Sequence, residues 1–112
     1  MVDSYSFGSV RVDGETYDHD LICHKGRVTR WRREKGHKVK VGDIQSLLDE
    51  PPEAVVFGTG AMGCMEVGNK AVAALQQAGI EAIAERTGEA IVRFNALVAE
   101  GRDVALAIHL TC

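Results

Sequence analysis

Hydrophobic and polar positions change their spacing partway along this chain. Before Ala54 the sequence is polar, basic and β-like; after it come short apolar runs separated by helical stripes. In the first half, Val10-Arg11-Val12 and Glu15-Thr16-Tyr17 alternate on either side of Asp13-Gly14. An Asp-Gly pair between alternating segments predicts a tight hairpin, because both turn residues must take positive φ. The second strand is expected to run on through Leu21-Ile22-Cys23 and to turn at Lys25-Gly26. A third short strand, Val28–Trp31, completes a β-meander. Asp43 then has the chemistry of an N-cap for a helix from Ile44 to Asp49 that buries Ile44, Leu47 and Leu48. Pro51-Pro52 stops it.

The second half alternates regularly. Glu53–Phe57 reads as a strand and Asn69–Ala78 as a helix, with Asn69 at its cap, Val72 and Leu75 on one face, and Gly79 at its stop. Ile80–Glu85 reads as the next strand. Thr87 is placed to cap a helix whose stripe is Ala90, Ile91, Phe94, Leu97 and Val98, ending at Gly101. Val104–Ile108 is apolar at every position, as a strand covered on both faces must be. Strand, helix, strand, helix, strand implies βαβ crossovers and an at least partly parallel sheet with helices packed on it.

With 112 residues, 46% hydrophobic and 26% charged, the chain suits one globular domain, residues 1–112. Its net charge of -3 makes nucleic acid an unexpected partner. No apolar run approaches the ~18 residues of a membrane span, and Met1–Ser6 form neither a signal nor an Arg-rich transit segment. A cytoplasmic protein is expected. Cys23, Cys64 and Cys112 show no C-x-x-C spacing, which fits free thiols in a reducing compartment.

Candidate chemistry is sparse. On a strand, Tyr17-Asp18-His19-Asp20 would put the two acids on one face and His19 on the other, so a solvated acidic face is expected and not a metal site. From Lys25 to Lys40 stand eight of the thirteen basic residues, with Trp31 among them. Arg30, Trp31, Arg32 and Arg33 are therefore the candidate docking surface, for an acidic partner in preference to single-stranded nucleic acid. Gly58, Gly60 and Gly63 spell G-x-G-x-x-G, but Gly68 interrupts any helix begun there, and the helical pattern starts only at Asn69. A dinucleotide needs the glycines to run into a helix N-terminus. No nicotinamide or flavin cofactor is expected. His109 and Cys112, three apart, lack the further ligands that a metal requires.

If the three apolar strands are parallel, Gly58-Thr59-Gly60, Arg86, Thr87 and His109 meet at their carboxyl edge, where open α/β sheets take ligands. Free N–H groups of the glycine turn, the Thr59 hydroxyl, Arg86 and His109 would suit a small anion. Tight-turn glycines and a satisfied strand-end histidine explain the same residues without a ligand.

Phe7-Gly8-Ser9, Tyr17-Asp18-His19-Asp20, Gly58-Thr59-Gly60, Thr87 with Ala90 and Phe94-Asn95, and His109-Leu110-Thr111-Cys112 occur in order over the whole length. The set resembles the small domain family that includes the adipogenesis-associated domain protein and the mitochondrial respiratory complex I assembly factor of the same fold, with bacterial and archaeal members. The resemblance implies a three-layer α/β fold around a mixed central sheet, with an N-terminal hairpin attached and no defined catalytic residues. The mitochondrial member's targeting segment has no counterpart at Met1–Ser6, which speaks against a mitochondrial matrix role. The expected function is a non-catalytic accessory or assembly-type factor acting on an unidentified protein partner. The second reading is a small-anion or metabolite binder at Gly58-Thr59-Gly60, which leaves enzymatic activity open.

Overall fold

A computed structural model describes residues 1–112. The first half holds β1 (Val2–Ser6), β2 (Ser9–Val12), β3 (Glu15–Tyr17), β4 (Leu21–His24), β5 (Arg27–Arg30), β6 (Lys38–Val39) and, after a 3-10 turn at Val41–Ile44, α1 (Gln45–Asp49). The second half holds β7 (Ala54–Gly58), β8 (Glu66–Val67), α2 (Asn69–Gln77), β9 (Glu81–Glu85), α3 (Thr87–Ala99) and β10 (Val104–Ile108).

The central sheet has the order β5-β4-β10-β7-β9. Strands β10, β7 and β9 are parallel, and β4 and β5 extend the sheet as antiparallel neighbours. The connection from β7 to β9 moves outward along the sheet, and the one from β9 to β10 moves back past β7. Right-handed crossovers running in opposite directions place their helices on opposite faces. The core divides accordingly. Val56, Leu106 and Ile108 face α3, while Val55, Phe57 and Ala107 face α1 and α2. That two-sided burial is why β7 and β10 are apolar at every position. The fold is a three-layer α/β arrangement around a mixed sheet, with β1, β2 and β3 forming an antiparallel sheet beside α3.

Several local expectations change. The Asp13-Gly14 hairpin forms, with φ of 47° and 86° at its two turn residues. Its second strand does not run on: β3 ends at Tyr17, and Asp18–Asp20 carry the chain into β4 of the other sheet. Strand β1 had no clear alternation, yet it pairs with β2 and is anchored to α3 through Asn95, whose amide meets both the N–H and the C=O of Val2 at 3.0 and 2.9 Å. Asp43 lies inside the 3-10 turn, and its Oδ2 accepts from the Lys40 N–H at 2.8 Å. Gly68 and Arg86, not Asn69 and Thr87, stand at the N-caps of α2 and α3. The buried face of α2 is Ala71 and Leu75, with Val72 half-buried.

Candidate functional site

The carboxyl edge of β7, β9 and β10 gathers Gly58, Thr59, Gly60, Thr87 and His109 as expected, and the chain itself closes that edge. The Thr87 hydroxyl is fully buried; it donates to the His109 carbonyl at 2.6 Å and accepts from the Gly60 N–H at 2.9 Å. The Thr59 hydroxyl and N–H both donate to the Glu85 carbonyl. The Ala61 N–H donates to Thr111 O at 2.7 Å, and the N–H groups of Met62 and Cys64 share Cys112 O at 3.3 and 2.9 Å. Gly63 and Met65 donate to Gly60 O and Thr59 O. The free N–H groups expected for an anion are therefore engaged within the chain.

The same packing explains the two glycines. A Cβ on Gly58 would stand 2.7 Å from Ile108 Cγ2 and 3.0 Å from the Thr87 hydroxyl. One on Gly60 would stand 2.2 Å from the Cys112 carbonyl carbon, at a φ of 106° that L-residues rarely adopt. These glycines admit the chain's own residues 108–112 to close contact. The first helix after them begins at Asn69. Arg86 does not join the cluster: it is exposed, lies beside Gly63, and borders the outer face of α3.

A polar hub that the sequence reading missed lies beside this edge. Asp20 Oδ2 meets Arg33 Nη2 at 2.7 Å and His109 Nδ1 at 2.8 Å, and Asp20 Oδ1 accepts from the Leu110 N–H at 2.8 Å. Arg33 Nη2 also donates to Gly36 O at 2.8 Å, which uses both of its hydrogens. The Nδ1 proton bonding Asp20 is therefore supplied by His109, and Nε2 faces the Thr111 hydroxyl at 3.4 Å. Burial works to raise the Asp20 carboxyl; the bonds from His109, the Leu110 N–H and Arg33 outweigh it and hold the group below the usual carboxylate range. Asp20 is thus no solvated strand acid. Having left the strand, it joins β4, the basic segment and the end of β10. Only its distant partners could have signalled this.

Two members of the candidate docking surface are removed from solvent. Trp31 is 5% exposed, packs against Phe57, and donates its indole N–H to Asp43 O at 2.8 Å. The Arg33 side chain is 3% exposed and lies over the Trp31 ring, with Cζ 4.4 Å from its centroid. Its Nε and Nη1 are buried without hydrogen-bond partners. Arg30 and Arg32 remain exposed. The apolar bulk of Trp31 and the counter-ion Asp20 draw the middle of the basic segment inward.

An open groove of about 850 Å³ runs along the outward face of α3, bordered by Tyr5, Ala61, Glu85, Arg86, Val92 and Ala96. Val92 is 70% exposed, although a solvated helix face calls for a polar residue there. Phe7 and Met62 are 64% and 69% exposed. Backbone bonds from Gly8 to Leu110 and from Ala61 to Thr111 tie the turns that carry them to adjacent residues, so both reach the same end of the molecule. Val92 was legible as an interruption of the polar face of α3. The convergence of Phe7 and Met62 was not.

Elsewhere, burial pushes the Cys23 thiol up to about 11, while Cys64 and Cys112 are exposed. His24, buried, pairs with Asp103 at 3.0 Å. No three His, Cys, Asp or Glu side chains stand together in a way that could hold a metal ion.

These features define a small three-layer α/β domain whose ligand-prone sheet edge is occupied by its own residues 109–112. The chain belongs to the protein family of unknown function DUF498/DUF598, whose profile matches residues 2–109. The solved protein MT938 is 34% identical, with a TM-score of 0.85, over 100% of this chain and 98% of its own. A conserved hypothetical protein from Pyrococcus horikoshii is 25% identical with a TM-score of 0.91, covering 100% and 99% of the two chains. A Mth938-like domain from Bordetella pertussis shares the fold at 24% identity and a TM-score of 0.79, over 97% of this chain and 84% of its own. The family resemblance carried by the ordered motifs agrees with these matches. No helix is long and apolar enough to cross a membrane.

Proposed function

We propose that this protein is a non-catalytic accessory or assembly-type factor that works by docking a protein partner at the α3 groove. The observation behind this reading is the exposed Val92 in an open groove that Ala61, next to the exposed Met62, also borders. Large apolar side chains gathered at a surface favour a partner that covers them. Arg30 and Arg32, still exposed, offer an acidic partner a second contact. The test compares immobilised wild-type protein with a Met62→Asp/Val92→Asp variant of unchanged thermal stability. A partner recovered by the first and lost by the second is the expected result. Equal recovery of every protein by both would refute docking at the groove.

The second reading, a small-anion or metabolite binder near Gly58-Thr59-Gly60, draws on Arg86, which stands exposed at the groove rim beside that turn. Thermal-shift screening with phosphates, nucleotides and carboxylates separates the two. A ligand whose stabilisation disappears in Arg86→Ala would favour the binder.

A further inference from the structure

Cys64 and Cys112 are 48 positions apart (112 − 64), yet the Cys64 N–H donates to Cys112 O at 2.9 Å. Strand residues that exchange both backbone bonds have Cα atoms about 5.5 Å apart, and the single short bond here brings Cys64 and Cys112 into comparable proximity. Disulfides span Cα separations of about 4.4–6.8 Å. The contact is not a chance touch. Met62 donates to the same carbonyl and Ala61 to the one before it, so the loop is clasped around residues 111 and 112 at three points. Both residues are exposed, which gives the access that thiol–disulfide exchange requires. Cys23 has neither property: it is buried in the core, with its thiol pushed up to about 11.

We propose that Cys64 and Cys112 form a reversible dithiol–disulfide pair that exchanges with small-molecule disulfides. One thiolate attacks the external disulfide, forms a mixed disulfide and releases one small thiol. The second protein thiolate then attacks the protein-side sulfur, closes the Cys64–Cys112 bond and releases the other small thiol. The protein loses two electrons and two protons, and the external disulfide gains them. The closed bond ties the loop that carries Met62 to the end of β10. The pair is independent of the docking reading and needs no partner.

The experiment incubates the reduced, folded protein with oxidised glutathione near pH 8, followed by intact mass and peptide mapping. The expected product is lighter by two hydrogens, links the peptides of Cys64 and Cys112, leaves Cys23 a free thiol, and is restored by dithiothreitol. Cys64→Ser and Cys112→Ser, both at exposed positions, should each stop at a single glutathione adduct. Glutathione adducts on both wild-type cysteines without a link would overturn the proposal. So would covalent dimers in place of the internal bond.

Discussion

Two regions of this molecule reverse the usual distribution of side chains. At the hub, Asp20 and Arg33 bring charge inside beside the buried His109; along α3 and in the turns of Phe7 and Met62, Val92, Met62 and Phe7 leave apolar surface outside. The hub is tolerated because each charge meets an opposite charge or a backbone group, and the Arg33 face rests on Trp31. The groove has no such compensation within the chain. Removing one partner of a buried charge pair leaves the other uncompensated, whereas an exposed apolar group adds little to folding and gains only when something covers it. Substitutions at the hub should therefore report on stability, and substitutions at the groove on association.

The sharpest break is Asp20→Ala. It leaves the Arg33 guanidinium buried without its counter-ion, and removing one partner of a buried pair costs about 3–5 kcal/mol. Urea unfolding at neutral pH measures the loss; a change below about 1 kcal/mol would mean that the hub can be opened without consequence.

Gly60→Ala tests the closed edge beside the hub. The added Cβ meets the Cys112 backbone, which has no rotamer with which to yield, and φ is 106°. Destabilisation of about 2–4 kcal/mol is expected from clash and strain together. A neutral result would show that residues 111 and 112 do not hold this position in solution.

Acid should weaken the hub next. The folded Asp20 carboxyl lies below its ordinary value, so its contribution is complete above the unfolded pKa near ~3.9. The contribution is lost as pH falls through the lowered folded value, because the unfolded state then binds the proton first. Stability of the wild type should fall more steeply than that of Asp20→Asn as pH decreases from 5 toward 2. Parallel curves would assign acid sensitivity to other carboxylates.

Val92→Asp should have the smallest effect on folding, within about 0.5 kcal/mol, because the side chain is 70% exposed. Its effect on partner recovery should be far larger. Strong destabilisation with unchanged recovery would invert the comparison between hub and groove.

Much of the architecture was legible because it rests on local periodicity. Strand β10 matched its expected bounds, and the Ala90, Ile91 and Phe94 stripe of α3 is buried as its spacing required. The hairpin at Asp13-Gly14 was readable from two residues whose backbone tolerates positive φ. The break after Tyr17 was not, because alternation continues through Asp18–Asp20 while the chain changes sheets. Strand β1 carries only Val2 as a fully buried residue and depends on Asn95, 93 positions away. Gly68 weakened the glycine fingerprint, but what Gly58 and Gly60 do required Ile108, Thr87 and Cys112 to be in place.

The sequence by itself determined the elements with strong periodicity, the alternation that makes β7 and β10 a doubly covered parallel core, and the family. Period and turn chemistry act over a few residues, so they can be read without knowing what lies opposite. Only the tertiary structure decided that Asp20, Arg33 and His109 form one cluster, that Trp31 belongs to the core, and that the glycine turn is filled by the chain's own end. It also decided that the turns carrying Phe7 and Met62 meet beside residues 110 and 111. Each of these depends on segments distant in sequence meeting in space, where burial and pairing reassign what residue type alone suggests.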